Sequence, residues 1–253
     1  VEVKFITAFG EDIHAGEIQH SCRENGIDIT HSRSVSGAST STYMFITDEN
    51  GDMQLAVSDM EIYSYLTPEY IASKLDVINN ASLCVIDTNL PAETIQYLCE
   101  NCTVPIFADP VSTAKAVKLL PVLGKIHTIK PNMLEAALLT GIPVTDERSA
   151  RKAVDILLEL GVRQVFLSMG AAGVLYGNAR GKKRIPNYPA EIRNTTGAGD
   201  SFMAALVMAY LSEFSTEKAA RCGLAAAAIC IEGENTINEK LSRQAVLDRI
   251  SEN

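Results

Sequence analysis

No run of apolar residues in this 253-residue sequence is long enough to cross a bilayer, since a spanning helix needs about 20 of them in succession. No signal-like segment opens it, so a soluble, cytoplasmic protein is the expectation. Basic residues are in the minority: 22 Lys and Arg stand against 31 Asp and Glu, for a formal charge of −9. A nucleic-acid surface needs clustered Lys and Arg to meet phosphates, and that class is excluded. The one basic cluster, Lys182-Lys183-Arg184, reads as a solvated turn. Six cysteines (Cys22, Cys84, Cys99, Cys102, Cys222 and Cys230) lack the regular spacing of a disulfide framework, as expected of reduced thiols. Cys99-Glu100-Asn101-Cys102 has C-x-x-C spacing, but no second pair or nearby histidine completes a zinc site.

What the sequence does have is material for a core. At 47% hydrophobic, residues 1–253 are expected to form one α/β domain with a small appendage. Short β-rich runs alternate with helical patterns, as in a mostly parallel sheet covered on both faces. The spacing predicts strands over Val3–Ala8, Leu83–Asp87, Ile106–Asp109, Thr128–Lys130 and Gln164–Ser168. Helices are predicted over Ile13–Asn25, Pro68–Asn79, Ala92–Asn101, Asn132–Thr140, Glu147–Leu160, Gly199–Leu211 and Glu217–Ile231. Residues 40–57 break the rhythm, alternating as two strands around Asp48-Glu49-Asn50-Gly51, and Asn-Gly between such runs signals a hairpin.

The most informative stretch is Asn194-Thr195-Thr196-Gly197-Ala198-Gly199-Asp200, which runs into the apolar segment Ser201–Leu211. Small residues let backbone N–H groups converge at a helix start, where the macrodipole also favours an anion. Asp200 then places a carboxylate beside that cradle, able to take a proton from an attacking hydroxyl. A glycine-rich packing turn is the alternative for an isolated fragment of this kind. Upstream, Lys130-Pro131-Asn132-Met133-Leu134-Glu135 starts another helix, with Asn132 and Glu135 three apart on its first turn. That pair suits either an ordinary helix cap or a Mg²⁺ held through waters.

Ligands of open α/β sheets bind beyond the carboxyl ends of the strands. Asp87 with Asn89, Asp109, Lys130 and Ser168 stand at such ends, and Asp12 follows the first strand through Gly10.

The string Thr195-Thr196-Gly197-Ala198-Gly199-Asp200, followed by Ser201-Phe202-Met203-Ala204-Ala205, resembles the C-terminal signature of the ribokinase-like (PfkB) sugar and nucleoside kinases. The resemblance implies a three-layer α/β/α sandwich with a mostly parallel sheet and a small β lid over the sugar site. It implies a kinase moving the γ-phosphoryl of ATP to a hydroxyl, with Mg²⁺ and K⁺ as ions of the family. It makes Asp200 the catalytic base and Gly197, Ala198 and Gly199 the anion hole. Asn132 and Glu135 match the family's N-x-x-E element, which holds Mg²⁺ through water, with Lys130 compensating the nucleotide's charge. Ser168-Met169-Gly170-Ala171-Ala172-Gly173 resembles its nucleotide loop, which assigns Ser168, Gly170 and Gly173 to ATP. Ala226 and Asn235 fall in the region where the family stacks adenine, although the small-residue face of Ala219–Ile231 equally suits close helix packing. Asp12, Thr40, Thr42, Asp87, Asn89 and Asp109 are the implied substrate-binding set. Asn194 and Thr196 lie where the family holds a monovalent cation; Asn194 replaces the usual Asp, so any such site is expected to be weak.

Three longer stretches, Thr40 to Met60, Val104 to Ser112 and Ile126 to Asn132, together with Asn194 and the ending Glu234-Asn235-Thr236-Ile237-Asn238 before Leu241-Ser242, resemble the branch of this family that phosphorylates the 5′-hydroxyl of pseudouridine. Other acceptors of the same fold (ribose, adenosine, a keto-sugar acid) and a non-catalytic nucleoside sensor are the rivals. The family opens with a further strand and a Gly-Gly loop, and neither stands before Val1, as in a trimmed chain. Tyr43, Phe45, Met53 and Leu55 give the hairpin an apolar character, so a homodimer through the lid is expected.

Overall fold

The computed structural model describes residues 1–47 and 53–251. The chain divides into two compact units, Val1–Ala81 with Thr88–Thr103, and Ser82–Asp87 with Val104–Asn253.

In the first unit, strands β1 (Val3–Lys4) and β2 (Ala8–Phe9) pair in parallel with β3 (Ile27–Asp28) and β4 (Arg33–Ser34), and helix α1 (Ile13–Glu24) follows β2. One strand was expected over Val3–Ala8, but the ladder is interrupted. The Ser32 hydroxyl accepts from the Thr7 N–H at 3.2 Å and donates to the Phe5 carbonyl at 2.6 Å, so pairing passes from β3 to β4. Strands β5 (Thr42–Thr47) and β6 (Met53–Asp59) form an antiparallel pair with an irregularity at Ile46/Thr47. The expected turn at Asp48-Glu49-Asn50-Gly51 lies outside the described residues, as do the side chains of Phe45 and Met53. Tyr43 and Leu55 are exposed. The helix expected over Pro68–Asn79 is two, α2 (Pro68–Ala72) and α3 (Leu75–Asn79), and α4 (Ala92–Asn101) matches its expected span.

The second unit is built on a six-stranded sheet. Strands β7 (Cys84–Asp87), β8 (Ile106–Asp109), β9 (Thr128–Ile129) and β10 (Gln164–Ser168) are parallel neighbours; β11 (Val174–Asn178) and β12 (Gly181–Ile185) continue it antiparallel. After β8 come the short α5 (Thr113–Ala116) and a 3₁₀ stretch, Val117–Lys125. Then follow α6 (Met133–Thr140), α7 (Glu147–Glu159), α8 (Ala198–Leu211), α9 (Thr216–Ile231) and α10 (Arg243–Ser251). Side chains alternate across a sheet, and β11 shows both covers: Tyr176 packs with the α8–α9 cluster, while a Cβ on Gly177 would meet Val154 of α7. Phe107 and Phe166 from the strands join Phe202 and Leu206 of α8 and Leu224 of α9 in one core. This is the three-layer arrangement, with its β11–β12 edge unforeseen. Lys182-Lys183-Arg184 lies on β12 and is not a turn. Its alternating cations are each met by an acid: Lys182 by Asp155, Lys183 by Glu217 at 2.8 Å and Arg184 by Glu147 at 2.9 Å. None of the six cysteines is joined in a disulfide. Among the described residues, no helix is long and apolar enough to cross a membrane.

Candidate active site

Helix α8 begins without a capping side chain. Its N-cap is Gly197, with φ +83°, and a Cβ there would lie 2.3 Å from the Thr236 carbonyl oxygen, so both backbone conformation and space demand glycine. A helix start leaves its first N–H groups unpaired by the helix itself. Here Ala198 N–H makes a long 3.4 Å bond to Thr195 O.

Asp200 sits in that first turn at an exposed position, yet its carboxyl is held above the usual carboxylate range. Displacement of water by surrounding protein is the main cause. The negative charge of Asp109 adds to it, the Lys130 ammonium opposes it, and Asp87 contributes least. Among the described residues the Asp200 carboxylate carries no hydrogen bond or ion pair. Asp87 and Asp109 are register partners at the ends of β7 and β8. Lys130, one residue beyond β9, is buried and pairs with Asp109 at 3.1 Å. Its ammonium also reaches the start of α8, for a Cβ on Gly199 would meet Lys130 Nζ at 3.3 Å. Three strand-end residues and one helix start thus share one patch, which the sequence reading had brought together only by rule.

Asn132 and Glu135 form a reciprocal capping box on α6. Asn132 Oδ1 accepts from Glu135 N–H, and Glu135 Oε2 accepts from Asn132 N–H, both at 2.9 Å. The capping alternative is therefore realised. Glu135 is nonetheless 4% exposed with its second oxygen outside the box. Burial raises its pKa against the Asn132 hydrogen bond, with Asp109 raising it further and Lys130 lowering it. A buried carboxylate with a free oxygen remains available for a hydrated cation.

Ser168 leads into the turn between β10 and β11. Its N–H donates to Pro131 O at 2.9 Å, and Asn132 forms an isolated parallel bridge to it, which ties the turn to the start of α6. Gly170 and Gly173 have φ +57° and +93°, and a Cβ on Gly173 would collide with Ile185 O. Asn187 Nδ2 and Arg184 Nη1 fasten the turn's carbonyls at Gly170 and Ala172, both at 2.9 Å. Ala226 is 1% exposed within the α8–α9 core, where Gly223 abuts the Phe202 ring, so its surroundings are those of a packing residue. Asn235 is exposed in the segment after α9.

In the first unit, Asp12 caps α1. Its Oδ1 accepts from Ala15 N–H and from the Thr40 hydroxyl, both at 2.8 Å, and Oδ2 accepts from Thr40 N–H at 2.5 Å. These bonds, led by that of Thr40 N–H, hold the Asp12 carboxyl below the usual range. Thr40 is buried and accepts from Gly10 N–H at 3.0 Å, while Thr42 Oγ1 donates to Thr40 O at 3.3 Å. Asn89 belongs to this unit; it is half-buried and bonded within the protein.

Two contributors escaped the sequence reading. Cys230 directs its thiol at the carbonyls of Thr196 (3.7 Å) and Thr236 (3.4 Å), and Glu234 offers its carbonyl to Asn194 Nδ2 at 3.0 Å. All three contacts end on backbone oxygens, which no side-chain motif announces.

Residues 1–243 match the pfkB family carbohydrate kinases. The chain is 31% identical over 250 residues to the pseudouridine kinase of Escherichia coli K12, covering 97% of this chain and 79% of that protein. It is 28% identical to a ribokinase of Haemophilus influenzae over 98% of this chain and 81% of that one. The crystal structure of a ribokinase from Thermotoga maritima superposes with a TM-score of 0.87 at 24% identity, covering 98% of this chain and 81% of the other, which shows the ribokinase-like fold. The match over nearly the whole length, on a fold already reached from strand order and helix placement, has one meaning: the chain belongs to the pfkB family of carbohydrate kinases.

Proposed function

We propose that this protein transfers the γ-phosphoryl group of ATP to the 5′-hydroxyl of pseudouridine. The observation that carries the reaction class is Asp200: a carboxylate without a partner, raised in pKa, at an uncapped helix start beside Lys130. Such a group accepts a proton from a hydroxyl held against it. The α8 N–H groups and the Lys130 ammonium oppose charge on the passing phosphoryl, so most of the catalysis is positioning and electrostatics.

The donor set also suits the ions of this reaction. Glu135, buried with one oxygen outside the capping box, and Asn132 beside it fit a Mg²⁺ held through water. When bound, the metal supplies positive charge at the nucleotide phosphates. Ser168, Gly170 and Gly173 present a turn whose backbone a nucleotide can approach, with Asn235 in the adenine region. For the acceptor, the family resemblance is what supports Asp87 and Asp109 of the second unit and Asp12, Thr40, Thr42 and Asn89 of the first. Cysteines that form no disulfide support a reducing cytoplasm. The exposed Met44, Ile46, Leu55 and Val57 of β5 and β6 support a homodimer through this pair.

Pseudouridine as acceptor rests on the E. coli relative and on the three stretches 40–60, 104–112 and 126–132. Ribose is the second reading, favoured by the H. influenzae relative. ADP release from full-length protein with pseudouridine, uridine, adenosine, ribose and a keto-sugar acid separates them. The highest kcat/KM is expected for pseudouridine. A higher value for ribose transfers the proposal to that sugar, and pseudouridine binding without ADP release from any acceptor would mark a sensor.

A further inference from the structure

The family resemblance places a monovalent cation at Asn194, and the groups around this residue do not fit one. Asn194 Oδ1 accepts from Thr196 N–H at 2.9 Å. An N–H faces only an acceptor, so this bond decides which end of the carboxamide is oxygen. The opposite end, Nδ2, then donates to the Glu234 carbonyl at 3.0 Å. Where a cation would need oxygen, the side chain offers N–H.

Neighbouring bonds complete the same seam. Arg193 and Asn194 N–H both donate to Ile231 O, at 2.8 and 3.3 Å, and the Arg193 guanidinium lies 3.8 Å from the Glu234 carboxylate. The Cys230 thiol faces both the Thr196 and the Thr236 carbonyls. Gly197 lies against Thr236 O so closely that a Cβ there is excluded. The phosphoryl-binding turn and segment 232–236 are thereby joined through neutral amide and thiol donors, with one long ion pair at the rim.

We infer that the Asn194 carboxamide takes the place of a cation in joining the glycine turn to segment 232–236, so that this turn is assembled without K⁺. The consequence for turnover rests on the kinase reading above; the join itself does not. A ligand that binds only the native state raises the unfolding midpoint by mass action, so thermal unfolding of the full-length protein in KCl and in choline chloride, at equal ionic strength, reads cation binding without substrate. Equal midpoints are expected, as are ADP-release rates differing by less than about threefold between the two salts. A midpoint raised by K⁺, or activation of about threefold or more, overturns the inference.

Asn194→Asp keeps an acceptor for Thr196 N–H but has no donor for Glu234 O. Faster amide hydrogen exchange at 194–198 and 232–236 is expected in this variant, and unchanged exchange would overturn the join. If the variant fails to fold, the two-salt comparison of the unaltered protein still decides. If no acceptor is phosphorylated, the proposed function falls while the midpoint and exchange measurements keep their meaning.

Discussion

Asp12 and Asp200 both stand at the start of a helix, each close after glycine, and the two carboxylates are used in opposite ways. Asp12 accepts three hydrogen bonds from Ala15 and Thr40, and its pKa is lowered chiefly by the Thr40 N–H. Among the described residues Asp200 accepts none, and desolvation followed by Asp109 raises its pKa. A carboxylate whose lone pairs are filled by its own chain organises that chain and resists protonation. One that is desolvated, set near other acids and left unpaired is ready to receive a proton from something else. Sequence sets Asp200 apart by its glycine motif; the hydrogen bonds of the two acids supply the physical difference.

Removing the unpaired acid is the strongest way to break this contrast. Asp200→Asn should lower kcat on the order of 10³-fold with a smaller change in nucleotide affinity, measured by steady-state ADP release and nucleotide titration. Near-normal turnover in that variant removes Asp200 from the mechanism. Lys130→Met comes next, at about 10²-fold in kcat/KM at neutral pH, because the ammonium both opposes phosphoryl charge and holds the Asp200 pKa down. A base works only when ionised, so activity should fall as pH drops through the raised Asp200 value. Without Lys130 that acid limb should move to higher pH; an unmoved limb would show that the two groups are uncoupled. Gly197→Ala tests the turn itself. With φ +83° and the Thr236 carbonyl in the way, it should cost about 1–3 kcal/mol of stability by denaturant unfolding and reduce turnover with it.

The second unit was the more legible from sequence, for a physical reason. Its parallel strands β7, β8 and β10 are short apolar runs bounded by polar strand ends, and α7 and α9 carry long helical periods, so local pattern and final structure agree. The β11–β12 edge escaped because Lys182, Lys183 and Arg184 look solvated until Asp155, Glu217 and Glu147 are seen opposite them. In the first unit the dipeptide strands β1 to β4 are too short to show a period, and the break within Val3–Ala8 is made by Ser32, far along the chain. At the candidate site, Asp200, Gly197 and the Asn132–Glu135 pair were readable because helix starts have local rules. The seam from Asn194 to Glu234 and the thiol of Cys230 was not, because it joins side chains to distant backbone carbonyls.

The smallest expected effect sharpens the contrast from the other side. Asp12→Asn retains one oxygen but cannot accept from Thr40 N–H, Thr40 Oγ1 and Ala15 N–H together. Because Asp12 fixes Thr40, the acceptor KM should rise by about tenfold, with kcat within about threefold of the unaltered enzyme. A loss of kcat as large as that of Asp200→Asn would erase the distinction between the two acids. Acid unfolding supplies an independent reading. The folded-state pKa of Asp12 is lowered, so its stabilisation is present above its unfolded-state pKa and is lost as pH falls through the lower folded value. The urea midpoints of the unaltered protein and Asp12→Asn should therefore differ at neutral pH and converge in acid. For Asp200 and Glu135 the sign is reversed: their raised carboxyls weaken the fold as pH rises through the folded values, so Asp200→Asn should become relatively more stable over that same rise. Opposite slopes in the two variants follow from one carboxylate being bonded and the other left open.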